Sequence, residues 1–177
     1  MYPEIFTPNE TELFKINGRS IEIPKCNIVF EKWTGLLLQE TFGGKPVLNV
    51  NEKPMFAELA ITNYFQLDGW EARWVETYGK REPICLIEWQ DDKFKNQTHV
   101  SFVDQDIRIM LEDISKINGN SYAGCWDVVG KKEGRIVFAE SKRKGKDRIQ
   151  LTQINWLKSA LQYGLKPENF LLVQWHM

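Results

Sequence analysis

The sequence predicts an α/β domain of the mixed α+β kind, with a mixed central sheet flanked by helices and a β-rich N-terminal extension. Three observations predict it. The stretch from "RIVFAES" through a helical stripe to "NFLLVQW" runs strand, helix, strand, which calls for at least one parallel pair. Two β-rich runs, "CWDVVG" and "RIVFAES", flank the turn "KKEG". Two more segments carry apolar residues at helical spacing and end on glycine. The 177 residues suffice for one domain, 1–177, with its own core. Residues 1–53 form the β-rich extension, and 54–177 form a core with an insertion around 80–119.

In chain order, "RSIEI" alternates, "NIVF" is apolar and "FGGKP" punctuates, so the first fifty residues read as short strands and turns. Pro54 precedes "MFAELAITNYFQLDGW", where Met55, Leu59, Thr62 and Phe56, Ala60 fall at helical spacing and Gly69 is the stop. "WEARWVETYG" (70–79) alternates as a strand, and "PICLIEW" is another. "DQDIRIMLEDISKING" opens on acids, closes on glycine and presents Ile107, Met110, Leu111 and Ile114 as one stripe. After the hairpin, a helix over 149–163 carries Ile154, Leu157, Ala160 and Leu161 and stops near Gly164. "NFLLVQW" is apolar enough for a buried strand. Trp156 and Trp175 are expected to fill core.

Composition is ordinary: 42% hydrophobic, 27% charged, formal net charge −1. The charge is unevenly placed. Between Lys131 and Arg148 eight basic residues face three acidic ones, so a basic tract sits on an otherwise acidic body and suits a local anionic partner. Three cysteines at no metal or redox spacing argue for a reducing compartment, and a cytoplasmic location is expected. The N-terminus lacks the pattern of a signal peptide, and no apolar run approaches the ~20 residues of a membrane span. The two histidines, His99 and His176, belong to no recognisable motif.

The chemistry concentrates in "GCWDVVGKKEGRIVFAESKRKG". Strand side chains alternate, so Glu140 and Lys142 share a face with Ile136 and Phe138. With Lys132 and Glu133 as the turn, Asp127 lies opposite Phe138 and is the diagonal neighbour of Glu140 on that face. A four-residue loop keeps this pairing, whereas an odd-length loop moves Asp127 to the other face. Two carboxylates on one face without histidine favour Mg²⁺ or Mn²⁺. The ion is expected between Asp127, Glu140 and the backbone carbonyl of Ser141. Lys142 stands where it positions or deprotonates a water, or stabilises developing charge. Arg143, Lys144, Lys146 and Arg148 suit a phosphate backbone. An Asp and a Glu-x-Lys also occur on solvated hairpin faces. Here, however, Glu140 ends the apolar run "IVFA", and Gln150 and Gln153 lie beside the apolar stripe of the next helix, where polar groups need partners.

These residues, in the order Gly124 to Asp127, hairpin, Glu140 and Lys142, "RKGKDR", Gln153 and Trp156, resemble the PD-(D/E)xK nuclease superfamily and, within it, the VRR-NUC branch. The match covers about forty residues. Trp126 departs from it, standing where the family has proline. The resemblance implies a restriction-endonuclease-like core, Asp127 and Glu140 as metal ligands, Lys142 as the catalytic lysine and Gln153 as an active-site helper. It also implies a glutamate on the first core helix, matched by Glu58. The implied activity is metal-dependent endonucleolytic hydrolysis of DNA, structure-specific in repair, recombination or phage and mobile-element processing, with RNA less favoured. Flaps, junctions, nicked duplex and specific duplex sites stay open as substrates, and so does a homodimer. The alternative is a catalytically inactive nucleic-acid-binding or protein-interaction module on the same fold. The intact Asp127, Glu140, Lys142 set argues against that alternative.

Overall fold

The computed structural model describes residues 2–77 and 82–177. The last two residues of the expected strand 70–79 and the first two of the expected insertion lie outside the described residues. Ten strands are described: β1 (Glu10–Ile16), β2 (Arg19–Val29), β3 (Glu31–Lys32), β4 (Leu48–Val50), β5 (Lys53–Met55), β6 (Glu71–Glu76), β7 (Ile84–Leu86), β8 (Val128–Lys132), β9 (Arg135–Arg143) and β10 (Phe170–His176). The α-helices are α1 (Ala57–Leu67), α2 (Gln105–Ile117) and α3 (Leu151–Tyr163).

Seven strands make one mixed sheet in the order β1-β2-β10-β9-β8-β6-β7. β10 runs parallel to both β2 and β9, and the other pairs are antiparallel. The expected parallel pair is β9 and β10, joined by α3. The sheet has helices on both faces. α1 packs Ala60, Ile61 and Phe65 with Phe6 against Val137, Ala139, Leu171 and Val173. On the other face α2 and α3 bring Ile107, Met110, Ile114, Trp156 and Leu157 against Phe138 and Phe170. β9 therefore alternates strictly, Val137 and Ala139 to α1, Ile136 and Phe138 to α3. Phe170 through Val173 on β10 are buried, as a run covered on both faces demands. Trp156 and Trp175 do fill core, at 0% and 3% exposure.

The helix boundaries follow local chemistry. Asp104 caps α2 by accepting from the Asp106 N–H at 2.8 Å. Gln150 and Gln153 form a reciprocal capping box at the start of α3, and Gly164 ends it at φ 120°. Strands β3, β4 and β5 form a small second sheet beside the first. Between β3 and β4, the segment 33–47 is anchored by Phe42, which stacks on Phe94 at 4.6 Å and meets Trp74 and Trp89, each at 5.8 Å.

Several boundaries differ from expectation. "RSIEI" and the first three residues of "NIVF" belong to one eleven-residue strand, β2, which joins the main sheet through β10. The strand expected over "PICLIEW" is shorter, Ile84–Leu86. The last helix begins at Leu151, because Gln150 is its cap. The hairpin turns on Glu133 and Gly134, both at positive φ (50° and 75°), and not on Lys132 and Glu133. Lys132 pairs with Arg135 and Val128 with Ala139. Continued one step, that register sets Asp127 across from Glu140, so the Phe138 pairing is corrected while the even parity stands. All three cysteines are free and buried. No helix among the described residues is long and apolar enough to cross a membrane.

Candidate active site

Asp127 stands just before β8, where the chain is held from three sides. Its carbonyl accepts from the Val75 N–H at 2.7 Å. The preceding Trp126 is fully buried against Phe14 and Phe170. The Trp126 indole N–H donates to the Gln153 carbonyl at 3.4 Å. The Asp127 side chain reaches across to β9, where Oδ2 accepts from the Ser141 N–H at 2.9 Å. A strand residue projects its N–H and C=O to the same edge. The Ser141 carbonyl therefore faces the gap beside Asp127, beyond the last rung of the β8–β9 ladder.

Glu140 is fully buried. Its Oε1 accepts from Lys142 Nζ at 2.8 Å and from Gln153 Nε2 at 2.5 Å. Gln153 is itself fixed by the cap, its Oε1 accepting from the Gln150 N–H at 2.8 Å. Glu140 Oε2 is buried with no hydrogen-bond partner, an expensive state for a carboxylate oxygen. Burial, and then the Asp127 charge, push the Glu140 pKa well up. Burial and Glu58 likewise raise Asp127, against the pull of Lys142 and Lys45. Burial alone would lower Lys142, but Glu140 and Asp127 outweigh it and raise its pKa. Those two carboxylates thus favour the charged form of Lys142.

On the α1 side stands Glu58, in the first turn of α1, with only 8% of its surface exposed. It is paired with Lys45 Nζ at 2.5 Å. Glu76, at the end of β6, is the fourth acid of the neighbourhood, raised to about 7 by burial and then by Asp127. Sequence reasoning missed Lys45 and Glu76. Lys45 sits in "FGGKP", which reads as plain turn punctuation, and its approach to Glu58 depends on the aromatic anchor of the 33–47 segment. Glu76 did carry a signal, since it continues the Ala72, Trp74 alternation of β6.

The basic residues separate into two groups. Arg143 is half-buried, with its guanidinium 5.7 Å from the Trp175 ring. Lys144, Lys146 and Arg148 are exposed, on a loop closed by the Arg143 N–H to Asp147 Oδ2 bond of 2.9 Å. A recess of about 240 Å³ opens beside them, lined by Lys45, Glu58, Ser141, Arg143, Lys146 and Trp175 among others. No family model, curated protein or solved structure matches the chain.

The chemistry of the donor set suits a hard divalent cation. Asp127, the orphaned Glu140 Oε2 and the Ser141 carbonyl are all oxygen, and two mutually repelling buried carboxylates are what such an ion relieves. This set holds two acidic side chains, and among the described residues no group of three or more His, Cys, Asp or Glu is arranged to hold a metal. The Ser101 and His99 pair elsewhere is no nucleophile site. His99 Nδ1 accepts from the Cys85 N–H at 2.9 Å, so the neutral ring carries its proton on Nε2 and donates it to Ser101 Oγ, also at 2.9 Å.

The acid cluster sets a pH dependence. Glu76, Asp127 and Glu140 hold protons more tightly folded than unfolded, so stability falls as pH rises from the usual carboxylate range through about 7. Asp68, Asp92 and Asp104 are shifted down and act at more acidic pH. The metal-free chain is expected to melt lower at pH 8 than at pH 5, and Glu76→Gln to shrink the difference. A melting temperature that climbs over that window counts against a buried, like-charged cluster.

Proposed function

We propose that the chain is a metal-dependent endonuclease hydrolysing DNA phosphodiester bonds, on a restriction-endonuclease-like core of the PD-(D/E)xK type. The supporting observation is convergence. Asp127, Glu140, Lys142 and Gln153 come from three separate segments, yet Lys142 and Gln153 meet on one oxygen of Glu140, Asp127 binds the N–H of the next residue, Ser141, and the second Glu140 oxygen is left without a partner. Asp127, Glu140 and the Ser141 carbonyl are the residues to hold Mg²⁺ or Mn²⁺, which supplies Lewis-acid charge to a phosphate oxygen. Gln153 fixes the Glu140 rotamer and spares its other oxygen. Lys142 places its ammonium beside the reacting phosphate, where it orients a water and offsets the charge that develops as the P–O bond to the leaving oxygen breaks. Arg143, Lys144, Lys146 and Arg148 offer the flanking charge for the nucleic-acid backbone.

The test is a panel of labelled branched, single-stranded and duplex DNA with Mn²⁺, repeated in EDTA. Cleavage of at least one substrate that stops in EDTA supports the reading. Binding in EDTA with no cleavage of any substrate turns it to the inactive binding module. For the loop, Lys144→Ala with Lys146→Ala should weaken DNA binding and flatten its salt dependence by ~0.9 in log–log slope per lost phosphate contact. An unchanged slope means the loop is merely solvated.

A further inference from the structure

We propose that Lys45 is a built-in counter-ion that keeps Glu58 out of the divalent-ion site until a nucleic-acid phosphate draws its ammonium into the neighbouring recess. The inference rests on the nuclease reading of Asp127, Glu140 and Lys142 and adds a residue that the motif does not contain. Four carboxylates, Glu58, Glu76, Asp127 and Glu140, act on one another here, and two lysines answer them. Each lysine engages one glutamate, Lys142 on Glu140 at 2.8 Å and Lys45 on Glu58 at 2.5 Å. Asp127 and Glu76 also act on the Lys45 charge, after Glu58. A divalent ion seeking Glu58 must first displace it.

Lys45 is delivered by a built segment, not by a stray surface side chain. Its N–H donates to the Thr41 carbonyl at 2.9 Å, and Phe42 locks the segment into the Trp74, Trp89 and Phe94 cluster. The Trp89 indole N–H bonds the Glu40 carbonyl at 3.0 Å. The ammonium lies 5.6 Å from the Trp74 ring and 5.8 Å from the Phe42 ring, a favourable place for a cation. Lys45 also lines the 240 Å³ recess, with Arg143, Lys146 and the acids Glu58 and Asp147. Neither Arg143 nor Lys146 has a carboxylate partner in an ion pair among the described residues. A phosphate held there by Arg143 and Lys146 competes with Glu58 for Lys45, whose flexible four-carbon stem allows the move. Release of Glu58 then adds a carboxylate to the ion site, and by linkage phosphate and metal strengthen each other's binding.

The experiment is calorimetric titration of Mn²⁺ into the metal-free chain without nucleic acid. Lys45→Met keeps the stem over Trp74 and removes the charge, so it should bind Mn²⁺ ~10-fold more tightly than the parent, the scale of one nearby cation acting on a carboxylate site. The gain should vanish in Lys45→Met with Glu58→Gln. Lys45→Arg should stay at the parent's affinity. Glu58→Gln alone should change affinity by less than ~3-fold, because Glu58 is not yet a ligand. The proposal is overturned if Lys45→Met binds no more tightly, if its gain survives Glu58→Gln, or if Glu58→Gln alone weakens Mn²⁺ ~10-fold. Should Lys45→Met fail to fold, the arginine and glutamine variants still decide it. Failure of the nuclease reading looks different: Lys45→Met gains Mn²⁺ affinity but no DNA is cleaved. A chain that cleaves DNA while its Mn²⁺ affinity ignores Lys45 loses only this device.

Discussion

Lys142→Ala is expected to lower single-turnover DNA cleavage by ~100-fold or more, the usual scale for a positioned electrostatic or acid–base group. DNA affinity measured in Ca²⁺ should change little. The contrast with Lys144→Ala is the sharp part of the expectation. Both are lysines on one strand and its extension, but Lys142 is 9% exposed and bonded to Glu140, while Lys144 is exposed past the end of β9. Loss of Lys144 should affect binding and leave the chemical step alone. Lys142→Arg should not restore cleavage, because a planar fork does not reproduce a point charge in a closed site. Removing Lys142 leaves Glu140 without its ion pair, but burial and the Asp127 charge already push the Glu140 pKa well up, so the carboxyl takes up a proton in place of the ammonium and the fold survives. Wild-type cleavage by Lys142→Ala under saturating protein would show that the hairpin is not the active site.

Gly124→Ala is expected to cost about 3 kcal/mol or more of stability, a drop of roughly 10 °C in melting temperature for a chain of this size. Gly124 sits at φ 83°, and a Cβ there would run into the Thr152 carbonyl and lie 2.7 Å from the Gln153 N, in the first turn of α3. Backbone cannot yield as a flexible side chain can. The control is Gly145→Ala, at φ 71° with no atom near the added Cβ, which should cost only the conformational ~1 kcal/mol. Equal losses in thermal melts of the two variants would mean that close approach to α3 does not matter. Because Gln153 holds Glu140, Gly124→Ala should also depress cleavage in whatever fraction remains folded.

Both expectations draw on residues that the sequence made visible to different degrees. The hairpin was legible because β-strand alternation is local: an even loop keeps Asp127 on the side of Glu140 whichever two residues turn. The exact turn was not legible, since it depends on Glu133 accepting a left-handed conformation. The parallel β9–β10 pair followed from the strand–helix–strand order alone. The position of β2 beside β10 did not, because pairing across so long a stretch of chain leaves no periodic trace. Glu58 was within reach only through the resemblance, which asks for a glutamate on the first core helix, and its partner Lys45 was hidden. Only the packing of Phe42 against Trp74, Trp89 and Phe94 brings that lysine inward.

The placement of β10 has a consequence for biosynthesis. It is the last strand in chain order, yet it lies inside the sheet, with β2 on one side and β9 on the other. While the chain is growing on the ribosome, the β1–β2 hairpin and the β6–β9 layer therefore exist as two halves with raw, unpaired inner edges. Joining them waits for residues 170–176 to emerge, and contacts this distant in sequence form slowly. The acid-bearing strand β9 then lacks one neighbour until β10 has emerged. Until then the nascent chain shows open β-edges to chaperones.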